Sequence, residues 1–71
     1  MTELELSIYG AIPESDDYIV WTSPHYVASE LDRHGISAQI AEVDAAMMAM
    51  AARGLLDVRV AGIPLYRRTK A

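Results

Sequence analysis

The side chains that could do chemistry in this chain fall into small groups, and most are poorly spaced for it. His25 and His34 lie nine residues apart on one proposed helix, which sets them about 180° apart at 3.6 residues per turn, too far round to share a metal ion. His34 instead suits the last turn of that helix, where a protonated imidazole meets the negative end of the dipole. Asp16 and Asp17 are adjacent, yet Pro13-Glu14-Ser15-Asp16-Asp17 is turn chemistry with no third ligand beside it. Ser23 precedes Pro24, the pattern of a helix N-cap, and no base is set by sequence to activate its hydroxyl. Gly10, Gly35, Gly54 and Gly62 read as scattered turn glycines and form no phosphate loop. Cysteine is absent, which removes disulfides, thiolate nucleophiles and cysteine zinc sites. The expectation is a chain with no catalytic residues, no cofactor, no metal and no small-molecule substrate.

What remains is charge. The 71 residues sum to −4, but residues 1–52 hold nine acids against Arg33, a balance of −8. Residues 53–71 hold Arg53, Arg59, Arg67, Arg68 and Lys70 against Asp57, a balance of +4. Such asymmetry points to a charged partner met by the C-terminal segment, or to acids and bases that neutralise one another on the folded surface. The apolar content of 52% is enough for a core. A chain this short forms one domain and buries about 60% of its unfolded surface. No apolar run nears the roughly 20 residues that span a bilayer, and no signal-type N-terminus is present. The reading is a soluble cytoplasmic protein with no membrane partner.

The elements that must position these charges follow from caps and periodicity. Thr2-Glu3-Leu4-Glu5 has the form of a capping box, and Leu4, Ile8, Ala11 and Ile12 then share a helical face that ends before Pro13. Leu4, Leu6 and Ile8 also alternate as a strand would, but the cap favours the helix. Tyr18-Ile19-Val20-Trp21 reads as a short strand, with Trp21 at the rim of the core and base stacking as its minor alternative. From Ser23 a second helix turns Val27, Ala28 and Leu31 inward and stops at Gly35, Ile36 anchors the turn, and Ser37 is the next N-cap. In the third helix Ile40, Val43, Met47 and Met50 make the inner stripe. Ala38, Gln39, Ala41, Glu42, Asp44, Ala45, Met48 and Ala49 face outward. Gly54 ends this helix. Leu55 to Val60 is a strand alternating from Leu56, Ala61-Gly62-Ile63-Pro64 a turn, and Leu65 to Thr69 a return strand.

Helix, glycine turn, helix, glycine, hairpin is an order that resembles a winged helix-turn-helix domain. Trp21-Thr22-Ser23-Pro24 with Val27, Ala28 and Leu31 looks like the opening of the second helix of many such repressors. Arg53-Gly54-Leu55-Leu56 resembles the junction between recognition helix and wing, and Pro64-Leu65-Tyr66-Arg67 is similar to wing strands of small prokaryotic and phage regulators. The resemblance covers nearly the whole chain, with one departure: Ile36 to Val43 is longer than the usual tight turn. It implies an α+β fold of three helices, a short strand and a two-stranded C-terminal wing. It also implies a small transcriptional regulator that binds double-stranded DNA, in dimeric form where half-sites are symmetric. Gln39 would then read an adenine edge and Glu42 a cytosine amino group, with Arg59, Arg67, Arg68 and Lys70 on phosphate.

That reading meets an obstacle in the helix itself. Its outer face carries acids and alanines and no lysine or arginine, whereas phosphate contacts dominate DNA interfaces. The alternative is a domain for protein contact or dimerisation, using Ala45, Met48, Ala49 and Ala52, which cluster on the outer side of the third helix. A third reading is an acidic decoy that imitates DNA through its N-terminal region.

Overall fold

A computed structural model describes residues 1–13 and 21–69 of the chain. It is a small α+β structure, compatible with a winged-helix-like layout: α1 (Glu3–Ala11), α2 (Pro24–Arg33), α3 (Ile40–Ala52), β1 (Leu56–Ala61) and β2 (Ile63–Arg68). The strand expected over Tyr18 to Val20, and most of the polar loop before it, lie outside the described residues. Trp21 itself is not in a strand, and neighbouring Thr22 makes a single bridge to Tyr66.

The helix starts follow local chemistry. Thr2 Oγ1 accepts from the Glu5 amide at 3.2 Å while Glu5 Oε1 accepts from the Thr2 amide at 2.8 Å, closing the capping box of α1. Gly10 falls inside α1 rather than in a turn. Ser23 Oγ accepts from the Tyr26 amide, and Pro24 fills the first helical position of α2, where no amide is required. The third helix corrects the expectation: its N-cap is Gln39, not Ser37. Glu42 stands three residues after Gln39 and accepts from the Gln39 amide at 3.3 Å, whereas a helix capped at Ser37 would have Ile40 in that place.

Moving the helix start forward changes what its first residues do. Ala38 is half-buried against the core instead of facing outward, and Ile40, expected inside, is 43% exposed. Asp44 is half-buried, with Oδ1 enclosed. Val43, Met47 and Met50 are fully buried, as their spacing predicts. Ile36 is exposed at its side chain and holds the turn through its amide, which donates to the Leu31 carbonyl at 2.8 Å.

At the far end of α3, the Leu55 amide donates to Met50 O at 2.9 Å and the Gly54 amide to Ala51 O at 3.0 Å. These are the two bonds that close a helix around a left-handed residue, and Gly54 supplies it with φ of +78°. The hairpin is tighter than expected. Its ladder runs from Leu56↔Arg68 to Ala61↔Ile63, so Ala61, Ile63 and Pro64 belong to strands and Gly62 alone, with φ of +87°, forms the apex.

The core joins Ile8 and Ile12 of α1, Val27 and Leu31 of α2, and Val43, Met47 and Met50 of α3 with Leu56 and Tyr66 of the hairpin. Tyr66 is the largest side chain fully enclosed there. Burial raises the pKa of its phenol, and the nearby Asp44 carboxylate adds to the rise.

Candidate interaction surface

The hairpin has two faces with different work. Alternation places Leu56, Val58, Val60, Pro64, Tyr66 and Arg68 on one side and Asp57, Arg59, Ala61, Ile63, Leu65 and Arg67 on the other. On the first side burial fades along β1, from Leu56 at 3% exposed to Val58 at 49% and Val60 at 75%. The hairpin thus leaves the core and projects from it.

Three of the four basic residues that the resemblance places on phosphate can be followed. Arg68 lies on the inward face, two residues after Tyr66. Its Nε and Nη2 both donate to the Tyr9 carbonyl, at 3.1 and 2.8 Å, and its guanidinium sits 4.5 Å from the Tyr9 ring centre. Tyr9 belongs to the last turn of α1, where its carbonyl accepts a long 3.4 Å bond from the Ile12 amide, so Arg68 completes the bonding of the helix end and fastens β2 to it. On the other face, Arg67 Nε donates to Asp57 Oδ2 at 2.9 Å, and the guanidinium stacks 4.8 Å from the centre of the Trp21 ring. Arg59 is exposed, with its guanidinium 5.9 Å from the same ring. Trp21 is half-buried, at the rim as its sequence context predicts, and serves as the platform on which the two arginines rest. Lys70 lies outside the described residues.

The remaining arginines also have partners in the chain. Arg53 bonds to Glu5, joining the end of α3 to the start of α1. Glu5 is nearly buried, and its carboxyl is held below its ordinary pKa, first by the bond from the Thr2 amide and then by Arg53, against a desolvation cost that pushes the other way. Arg33 pairs with Glu30 one turn earlier in α2. The capping role of Glu5 is legible in the sequence, whereas its pairing with Arg53, the burial of Tyr66 and the inward setting of Arg68 are not among the expectations. For Arg68 the signal was present: once Tyr66 is placed inward, alternation places Arg68 inward too.

The outer surface of α3 is different in kind. Ala41, Ala45, Met48 and Ala52 recur at spacings of four, three and four and are all exposed, so they form one apolar stripe, with Ala49 beside it. Met48 is 58% exposed. Where α3 runs beside the hairpin, Met48, Ala52, Val58, Val60 and Pro64 line an apolar groove of about 460 Å³. Gln39 and Glu42 are exposed at the N-terminal end of the same helix, and the Glu42 carboxylate is already engaged with the Gln39 amide. The structure therefore gathers Ala45, Met48, Ala49 and Ala52 on one helix surface. It does not gather Arg59, Arg67 and Arg68 into one cationic surface.

No helix among the described residues is long and apolar enough to cross a membrane. No protein-family model matches the chain, and no curated protein or solved structure matches it.

Proposed function

We propose that this chain is a protein-contact domain of winged-helix type, whose working surface is the apolar stripe of α3 and the groove it forms with the hairpin. The observation that carries this reading is the contrast between two sets of side chains. Arg67 and Arg68 are engaged by Asp57 and by the end of α1, while Met48, Val58 and Val60 stand exposed around one groove. Apolar side chains in contact with one another at a surface favour a partner that removes them from water. A phosphate backbone asks for the reverse, free cationic side chains beside the reading helix.

The second reading is a small DNA-binding regulator, in which α3 reads bases and the hairpin lies along the backbone. It is favoured by α2, the turn at Gly35 and α3 standing in helix-turn-helix order, with Gln39 exposed at the start of α3 and Arg59 exposed on the hairpin. On this reading Gln39 and Glu42 meet base edges and Arg59, Arg67, Arg68 and Lys70 meet phosphate.

Fluorescence anisotropy on a random-sequence duplex, at low and at moderate salt, separates the two. The protein-contact reading predicts no binding, or weak binding that Arg59→Ala alone removes. Micromolar binding that weakens steeply with salt, and that requires Arg67 and Arg68 as well, would overturn it in favour of the regulator.

A further inference from the structure

The open edge of β1 carries a more specific statement, which rests on the protein-contact reading above. In the two-stranded sheet β1 pairs with β2 on one side only, and among the described residues no backbone hydrogen bond from another element reaches its other edge. Thr22 fixes which main-chain groups face that edge. The Thr22 amide donates to Tyr66 O at 2.7 Å and the Tyr66 amide donates to Thr22 O at 2.8 Å, so both polar groups of Tyr66 point away from β1. In an antiparallel ladder a residue opposite such a partner also turns its polar groups away. Tyr66 faces Val58, so the amide and carbonyl of Val58 point out along the free edge, as do those of Leu56 and Val60, two residues to either side.

We propose that a second copy of this chain occupies that edge, the two β1 strands running antiparallel with Val58 opposite Val58 on the symmetry axis. This centre is compatible with the outward-facing groups, because the two Val58 residues exchange both of their main-chain bonds. It sets Leu56 against Val60 on the apolar face. On the other face it sets Asp57 of each copy against Arg59 of the other, in the closer type of antiparallel pair, where opposite charges attract most. Centring the strands on Asp57 or on Arg59 would oppose like charges and would turn the wrong main-chain groups together. Centring them on Val60 would leave Asp57 facing Ile63. A charge on an edge strand ordinarily repels a second edge. Here the Val58 register makes each charge a partner and forms the row Arg67, Asp57, Arg59 across the joined sheet. Val58 and Val60 each gain an apolar cross-strand neighbour, and Met48 lies beside the new contact.

The experiment is sedimentation equilibrium of the full chain from micromolar to millimolar concentration, with two charge variants. The wild type is expected to dimerise. Arg59→Asp sets Asp57 against an aspartate and weakens dimerisation roughly tenfold, and Asp57→Lys does so by setting a lysine against Arg59. Mixing the two variants pairs each charge across the new seam with its opposite and restores the association that each variant alone has lost. Amide exchange of the wild type gives an independent readout: protection of Val58 rises with protein concentration, while Arg59, bonded to β2 already, stays constant. A wild type that is monomeric throughout overturns the self-pairing and leaves the protein-contact reading to the duplex titration. A dimer indifferent to both variants, or Val58 protection that ignores concentration, overturns the β1 edge as its site.

Discussion

Arg68 and the main-chain carbonyl of Tyr9 are joined by two hydrogen bonds from one guanidinium, at 3.1 and 2.8 Å, across 59 residues of sequence. A residue whose type and position suggest phosphate is thus the fastening between the last strand and the first helix. Arg68→Ala removes charge-assisted bonds and the stacking on Tyr9, so it should destabilise the protein by about 2 kcal/mol in urea unfolding. Arg67→Ala, whose ion pair is about one-third exposed on each side, should cost less than about 1 kcal/mol. Equal, small effects would show that Arg68 is an ordinary surface residue.

The neighbours Met47 and Met48 test the rotational setting of α3. Met47 is fully buried and Met48 is 58% exposed. Met47→Ala should lower stability by about 2 to 5 kcal/mol, through lost burial and the cavity left behind. Met48→Ala should stay within about 0.5 kcal/mol when measured at concentrations too low for association. The reverse order in denaturant midpoints would mean that the helix is turned by roughly 100°.

Two glycines should respond in opposite directions. Gly54 has φ of +78°, and a Cβ there would meet open space, so Gly54→Ala costs about 1 kcal/mol from backbone conformation alone. Gly10 sits in α1, also with open space around it, so Gly10→Ala should stabilise by about 0.5 kcal/mol. Thermal midpoints of the two variants, falling for one and rising for the other, check the assignment.

Acid stability should depend on Glu5. Its carboxyl titrates below the ordinary value of about 4.3 in the folded protein, so over the interval between folded and unfolded values the unfolded chain binds more protons. The contribution is complete above the ordinary carboxylate range and is lost as pH falls through the folded value. Glu5→Gln should therefore narrow its deficit against the wild type as pH drops, in urea midpoints taken across that range. A constant difference between the two proteins at all pH values would remove Glu5 from the acid response.

What was legible in the sequence was local. The caps at Thr2 and Ser23, the stops at Gly35 and Gly54, and the burial of Val43, Met47 and Met50 each rest on residues within a turn or two of one another. Ser37 is the stronger cap by type, yet α3 is capped at Gln39, where Glu42 stands three residues on and accepts from the Gln39 amide. The hairpin apex is narrower than the expected turn Ala61-Gly62-Ile63-Pro64, because β2 takes in Pro64. Pro64 shares its outward setting with Tyr66, two residues on, so its missing amide lies on the side away from β1 and costs no ladder bond. The partners of the arginines were not legible. Arg68 with Tyr9 and Arg53 with Glu5 join the two ends of the chain, and no spacing rule reaches that far. Those long-range contacts occupy Arg68 and Arg53, while the apolar side chains around Met48 stay exposed.

Side-chain Nε–H exchange by NMR measures directly how firmly the chain itself holds each arginine of the hairpin. Arg68 and Arg67 donate from Nε to acceptors within the protein, whereas Arg59 is exposed. Slow exchange is expected at Arg68, intermediate exchange at Arg67 and fast exchange at Arg59. Equally fast exchange at all three would contradict this order, and would return a free cationic hairpin to the molecule.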